Sequence, residues 1–321
     1  MVRSTRLEVQ IKKSVFRTSN LVFKNVSRET NFKNPNKQSN FMSFKNNIFF
    51  NKVKDFSVSK EIFDLHYNPE YDMLITFPKP TLEKLPSYYE SEDYISHTDG
   101  KRSVFEKVYQ LVKGYAIKNK LKTISSFSSK GNLLDIGAGT GEFLFAAKKE
   151  GWNIMGIEPS EKAKNIAKSK GVQFSNDLAS LPDHSFDVIT MWHVLEHVPD
   201  LNNQIAELKR LLKPNGTIFI AVPNFKSFDA KYYQEYWAAF DVPRHLWHFS
   251  KKSIKLLFAE KDMKLIDVLP MKFDSYYVSL LSEKYKNGSM NFIKALWVGL
   301  KSNQFAKSKK EYSSHIYVIK N

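Results

Sequence analysis

From Gly131 onward, short apolar runs alternate with segments whose apolar residues recur at helical spacing, which predicts a mostly parallel sheet covered by helices. Asn132 to Ile136 reads as a buried strand, after which Thr140 is expected to cap a helix that runs to Glu150 and stops at Gly151. Asn153 to Ile157 is the second strand. Ser160 then caps a helix ended by Gly171, Val172 to Phe174 is the third strand and Phe186 to Trp192 the fourth. Pro199-Asp200 is a helix-start signal, and Ile205, Leu208, Leu211 and Leu212 form one apolar face of a helix from about Leu201 to Lys213. Pro214-Asn215-Gly216 is expected to turn the chain into a fifth strand, Thr217 to Val222, completing one doubly wound core.

On either side of this core the pattern differs. Residues 46–99 alternate runs such as Ile48-Phe49-Phe50 and Met73-Leu74-Ile75 with Pro69, Pro78, Pro80 and Pro86, which predicts a small accessory unit of strands and turns. A helix from Lys101 to about Lys122 is expected to pack through Val104, Phe105, Val108, Leu111, Val112 and Tyr115. Phe273 to Lys286 and Asn291 to Leu300 read as two amphipathic helices before a last strand, Ser314 to Ile319. They are expected either to cover a pocket or to lie on a membrane surface. The division expected is a basic, loosely ordered tail over 1–45, the accessory unit over 46–99, and one α/β domain over 100–321.

Composition narrows the chemistry. The chain has no cysteine, which excludes a disulfide framework, a thiolate zinc site and a cysteine nucleophile. Its net charge of +16 resembles a nucleic-acid signal until it is located: residues 1–60 carry thirteen Lys/Arg against three acids. The rest has an ordinary surface balance, so nucleic acid is not expected as a partner of the globular part. No apolar run is long enough to span a bilayer, and the N-terminus lacks the apolar core of a secretory signal. A cytoplasmic protein is expected, although the Arg- and Ser-rich start also suits a transit peptide, or an upstream start with the working chain beginning at Met42.

The central motif is Leu133-Leu134-Asp135-Ile136-Gly137-Ala138-Gly139-Thr140-Gly141-Glu142-Phe143, a strand running into a glycine turn and then a helix. Glu158 ends the next strand 23 positions after Asp135, where a ribose-binding carboxylate belongs in a Rossmann-like unit. The dinucleotide pattern GxGxxG fails, because its third glycine would fall at Glu142. A GxGxG turn preceded by an acid suits a ligand without pyrophosphate. Asp135 and the amides of Gly137, Gly139 and Gly141 would hold the amino-acid end of S-adenosylmethionine, and Glu158 would accept bonds from both ribose hydroxyls.

With these residues the chain resembles the class I S-adenosylmethionine-dependent methyltransferases, in the group that includes ubiquinone-type O-methyltransferases and sugar C-methyltransferases. The resemblance also rests on Gly156-Ile157-Glu158-Pro159-Ser160, on Phe186 to Val198 (FDVITMWHVLEHV) and on Leu211 to Gly216 (LLKPNG). It implies a Rossmann-like α/β fold with a mostly parallel seven-stranded sheet, helices on both faces, and a small N-terminal accessory unit. It implies that Asp177 and Leu178 lie near the adenine and His193 beside the methionine part. The alternative for Asp177 is a plain turn residue.

Methyl transfer often needs a base that takes a proton from the acceptor. Asp241 to Ser250 (DVPRHLWHFS) resembles the substrate-side insertion of sugar C-methyltransferases, which makes His245 the candidate general base and Arg244 a candidate anion contact. The competing reading is that both only pair with neighbouring elements. The aromatic series Phe225, Phe228, Tyr232, Tyr233, Tyr236, Trp237 and Phe240 suits packing or an acceptor pocket. His193, Glu196 and His197 form an H-x-x-E-H string, but they follow a strand rather than sit on a helix, so zinc proteolysis is rejected and no metal is expected. The stretch from Asp55 to His97 resembles a zinc-bearing extension of some bacterial methyltransferases, with Asn68 and Tyr71 where cysteines would stand. The function expected is methyl transfer to a small-molecule acceptor such as a sugar, a quinone-like ring or a lipid-linked metabolite. The alternatives are a nucleic-acid methyltransferase using the basic tail and a non-catalytic cofactor-binding relative.

Overall fold

The computed structural model describes residues 46–89 and 104–321; the basic tail and Tyr94 to His97 lie outside the described residues. Alternating apolar positions build an antiparallel meander of β1 (Ile48–Lys54), β2 (Ile62–Asn68) and β3 (Met73–Phe77), with Phe63 and Leu65 turned inward. The fourth strand of this sheet arrives from far along the chain. Trp247–His248, β8 in chain order, pairs with Leu74 and Ile75 of β3. In the turn between β2 and β3, the Asn68 side-chain oxygen accepts the Tyr71 amide at 2.9 Å, so an Asx-type bond closes the loop that the resemblance assigned to a zinc ligand pair.

The second sheet carries the doubly wound core. α1 (Val104–Phe127) leads into β4 (Asn132–Ile136), α2 (Glu142–Lys149), β5 (Asn153–Ile157), α3 (Glu161–Lys168), β6 (Phe186–Trp192), α4 (Leu201–Leu211) and β7 (Leu212–Pro223). After α5 (Phe228–Tyr233) and β8 come α6 (Lys251–Ala259), β9 (Lys264–Pro270), α7 (Asp274–Asn287), α8 (Phe292–Lys309) and β10 (Ser314–Lys320). The strand order is β5-β4-β6-β7-β10-β9: β4 to β7 are parallel, and β10 runs antiparallel between β7 and β9. This is the expected Rossmann-like α/β architecture, with the chain reversing its winding between β4 and β6.

Local details differ from the sequence reading. Among the described residues the sheet has six strands rather than seven, and the expected third strand is reduced to one parallel bridge between Gly156 and Phe174. The N-cap of α2 is Gly141 at φ 74°, not Thr140, whose hydroxyl instead donates to Glu142. Pro214-Asn215-Gly216 lies inside β7 as an irregularity: Phe186 pairs with Leu212 but Val188 with Thr217. Helix α1 packs through Leu121 and Ile124, whereas Val112 and Tyr115 are exposed; the side chains of Val104, Phe105, Val108 and Leu111 lie outside the described residues. Ser160 and Asp200 do cap α3 and α4, accepting from Ala163 and Asn203.

Apolar side chains on the two faces of the large sheet make two cores, one with α4 and α6 and one with α1 and α2. A third core joins the N-terminal sheet to the aromatic series. Tyr233, Trp237 and Phe240 are buried there with Val53, Phe63, Leu65 and Leu74, so most of the series packs rather than lines a pocket. Each such side chain stabilises the junction by roughly 1.5–3 kcal/mol.

Candidate active site

Ligands of doubly wound sheets bind past the carboxyl ends of the strands where the winding reverses, here beyond β4 and β6. The glycine turn stands at that point, with Gly137, Gly139 and Gly141 at φ 77°, 55° and 74°, a region that strains other residues. A Cβ on Gly141 would stand 2.7 Å from the Cβ of Ala167, so this glycine also lets α2 lie close to α3. A Cβ on Gly139 would meet nothing within 4 Å; it would fill the open space over the turn.

Two acidic side chains border this space. Glu158, at the end of β5, is buried; its Oε2 accepts the Gly139 amide at 2.7 Å and its Oε1 the Ser160 amide at 2.8 Å. Burial pushes its carboxyl up to about 8, although both amide bonds pull the other way. Asp135 on β4 is buried as well and accepts the Thr190 hydroxyl at 2.6 Å. Burial raises Asp135 and lowers Lys120 of α1, and their mutual attraction opposes both shifts. The Lys120 ammonium lies 4.2 Å from the centre of the Trp192 ring. Buried acceptors beside an open glycine turn fit a ligand that carries hydroxyl donors and positive charge, which the ribose and the sulfonium of S-adenosylmethionine supply.

The other expected cofactor contacts are spread around the same edge. Asp177 and Leu178 follow the Phe174 bridge. The Asp177 carboxylate accepts the Ser180 amide at 2.8 Å, and the Leu178 carbonyl accepts Arg210. Asp177 thus makes the turn contact that its alternative reading required, and its second oxygen stays available to a ligand.

His193 follows β6 directly at φ 58°, with its amide bonded to the Ala221 carbonyl of β7. Its Nε2 stands 3.1 Å from Asp274 of α7 and its Nδ1 3.4 Å from Glu196. Burial works against a charged ring, but the two carboxylates outweigh it and raise the imidazole to about 9. An imidazole raised above its ordinary 6.5 contributes stability that is complete below that pH and lost as pH climbs through 9. His193→Asn keeps a residue that tolerates this backbone. The excess melting temperature of the natural chain over this variant is expected to be largest near pH 6 and to shrink by pH 9.5; a gap that is flat with pH would show His193 to be neutral.

The segment bearing His245 is wedged between both sheets. The Thr76 hydroxyl donates to the His245 carbonyl at 2.6 Å, and the Leu246 amide donates to the Glu196 carbonyl at 2.8 Å. His245 Nδ1 lies 2.8 Å from the Ala239 carbonyl, which only accepts, so this nitrogen carries the proton and Nε2 keeps a lone pair. That Nε2 stands 4.0 Å from Glu196, and burial holds the ring down to about 4, neutral near pH 7. Arg244 has no donor left for an anion. It is bonded to Asp55, Asp241 and the carbonyls of Tyr88 and Val242, so the competing reading, pairing with neighbouring elements, holds for this residue. Glu196, His197 and His245 each bring one ligand atom to within 4.8 Å of one another, the one grouping of this kind among the described residues.

Sequence reasoning missed Lys120, Asp274 and Glu196. Glu196 stood in a string read as a false protease motif, while Lys120 and Asp274 lie on helices distant in sequence and no spacing links them to β6.

Residues 109–268 match the family described as a methyltransferase domain. Over 102 residues the chain is 35% identical to a ubiquinone biosynthesis O-methyltransferase of Thiobacillus denitrificans, covering 29% of this chain and 44% of that protein. A protein of the same description from Vibrio atlanticus is 34% identical over 119 residues, 33% of this chain and 49% of its own length. The chain therefore spans less than half the length of these curated relatives. Among solved structures, an S-adenosylmethionine-dependent methyltransferase of Archaeoglobus fulgidus is similar at 20% identity and a TM-score of 0.45, covering 68% of this chain and 98% of that one.

Proposed function

We propose, from the premise that this chain belongs through residues 109–268 to the class I S-adenosylmethionine-dependent methyltransferases, that it methylates a small-molecule acceptor. The observation that carries this reading is the buried Glu158 carboxylate bonded to the amide of an open glycine turn at the winding reversal. In this reading Glu158 accepts the ribose hydroxyls, while Asp135 with Gly137, Gly139 and Gly141 holds the amino-acid end. Asp177 and Leu178 border the adenine, and His193 stands by the methionine part. When bound, the cofactor supplies an electrophilic methyl group.

The chain's own part is to position the acceptor and accept its proton. The curated relatives are named as O-methyltransferases, which makes a hydroxyl of a quinone-like ring the acceptor to test first. His245 is assigned the general base: its Nδ1 is committed to the Ala239 carbonyl, its Nε2 lone pair is free, and Glu196 lies beside it to support the imidazolium that forms. The N-terminal sheet braces this residue through Thr76.

Transfer of labelled methyl groups from S-adenosylmethionine to a panel of hydroxylated ring compounds tests the reading. Label is expected in at least one phenolic product; a chain that binds no cofactor and labels none of the panel would overturn it. His245→Ala is expected to lower kcat by about a hundredfold, the lower end for general bases because the ring is a weak one, with cofactor affinity unchanged. Unchanged turnover would remove His245 from the mechanism.

A further inference from the structure

A helix on the surface of a water-soluble domain buries its large apolar residues and shows polar ones to solvent. Helix α8 does the reverse. Its buried face is Ala295, Val298, Gly299, Ser302 and Ala306, and a Cβ on Gly299 would stand 2.5 Å from the Tyr276 ring, so α8 lies hard against α7. Its outer face carries Phe292, Ile293, Leu296, Trp297 and Leu300, from 48% to 84% exposed. At about 100° per residue these five positions fall within an arc of about 140°, a continuous stripe rather than scattered side chains.

Charge around the stripe has one sign. From Lys272 to Lys310 there are eight lysines and two acids. Both acids are turned inward: Asp274 pairs with His193, and buried Glu283 accepts the Tyr233 hydroxyl. Lys294 and Lys301 flank the apolar arc on one side, and Lys307 and Lys309 follow it towards the end of the helix. Aromatic and aliphatic side chains beside lysines are the composition that seats a helix in the headgroup boundary of an anionic bilayer.

We infer that the outer face of α8 is a docking surface for an anionic phospholipid bilayer, on which the helix lies flat with Phe292, Ile293, Leu296, Trp297 and Leu300 in the headgroup boundary. The same hairpin reaches the candidate active site. Ser275, next to Asp274, donates to the Gly299 carbonyl from the first turn of α7, so α8 presses from outside on the helix start that holds His193. Docking does not require methyl transfer, so vesicle binding and activity are measured separately.

The test mixes the full chain with vesicles of phosphatidylcholine alone or with phosphatidylglycerol. Co-sedimentation is expected with the anionic vesicles only and should weaken with added salt. Bromine-labelled acyl chains should quench the fluorescence of Trp297, since Trp152, Trp237 and Trp247 are buried and Trp192 is half-buried against Phe143 and Lys120, and Trp297→Phe should abolish most of that quenching. Leu296→Asp and Leu300→Asp are each expected to weaken vesicle binding at least about tenfold, the equivalent of losing one leucine from the apolar boundary. Ile62→Asp, an exposed apolar position on the other sheet, should leave binding unchanged. If an aspartate variant fails to fold, Ile293→Ser, at the most exposed of the five, gives the same comparison. The inference is overturned by equal binding of natural and variant chains, by absence of binding to anionic vesicles, or by a dimer that Leu296→Asp splits into monomers.

Discussion

Glu158→Ala is expected to weaken S-adenosylmethionine binding by about a thousandfold, because two hydrogen bonds to a charged acceptor are worth roughly 1.5–3 kcal/mol each. Titration calorimetry on a variant that still melts cooperatively measures this, and an unchanged Kd would end the assignment of the turn as a cofactor site. Glu158→Gln separates charge from shape. It keeps one oxygen for the Gly139 or Ser160 amide but turns a donor towards the ribose, so it should bind almost as poorly while melting closer to the natural chain. The pH dependence has a definite sign. Burial holds the free carboxyl up to about 8, and the cofactor's hydroxyls favour the ionised form, so affinity should rise as pH passes from 6 through 8. In Glu158→Gln that rise should become shallower, leaving the part that Asp135, also raised by burial, contributes.

The second large effect concerns the fold beneath the candidate base. Arg244 and its partners Asp55 and Asp241 are almost wholly buried, with Arg244 Nη2 2.8 Å from each carboxylate. Arg244→Leu strands two buried acids, which costs about 3–5 kcal/mol and should lower Tm by on the order of 10 °C. Burial raises Asp55, but Arg244 outweighs it and holds the carboxyl at about 2. A depressed carboxyl contributes stability that is present above its ordinary 3.8 and lost as pH falls towards 2. The advantage of the natural chain over Arg244→Leu should therefore be largest above about pH 4 and shrink as pH falls towards 2, while other depressed carboxyls such as Glu142 weaken both chains alike. Melting curves from pH 2 to 7 distinguish this from a simple packing defect, which would shift both chains in parallel. Because His245 is the next residue, activity should fall together with stability.

The glycine turn and the carboxylate that follows it are legible in the sequence, because the contacts involved are local. Asp135 lies on β4, Gly139 in the turn after it and Glu158 just past β5, and the pairing of these two adjacent parallel strands follows from one strand–helix–strand repeat. Strand and helix starts at Asn132, Ser160 and Asp200 were legible for the same reason, since a cap or a buried apolar run is decided within a few residues. The errors were local rules overruled by packing. Thr140 loses the cap to Gly141, whose missing Cβ lets α2 lie against Ala167, and Phe174 keeps only a bridge to Gly156.

By itself the sequence determined the doubly wound half and the acids that border its glycine turn, since each depends on patterns shorter than about thirty residues. What only the tertiary structure decided is the environment of the histidines. His193 meets Asp274, His245 meets Glu196, and Arg244 turns from an anion contact into the joint between two sheets. Those partners come from segments far apart in sequence, and the burial that holds His245 down while the facing carboxylates raise His193 exists only once the separate layers have packed.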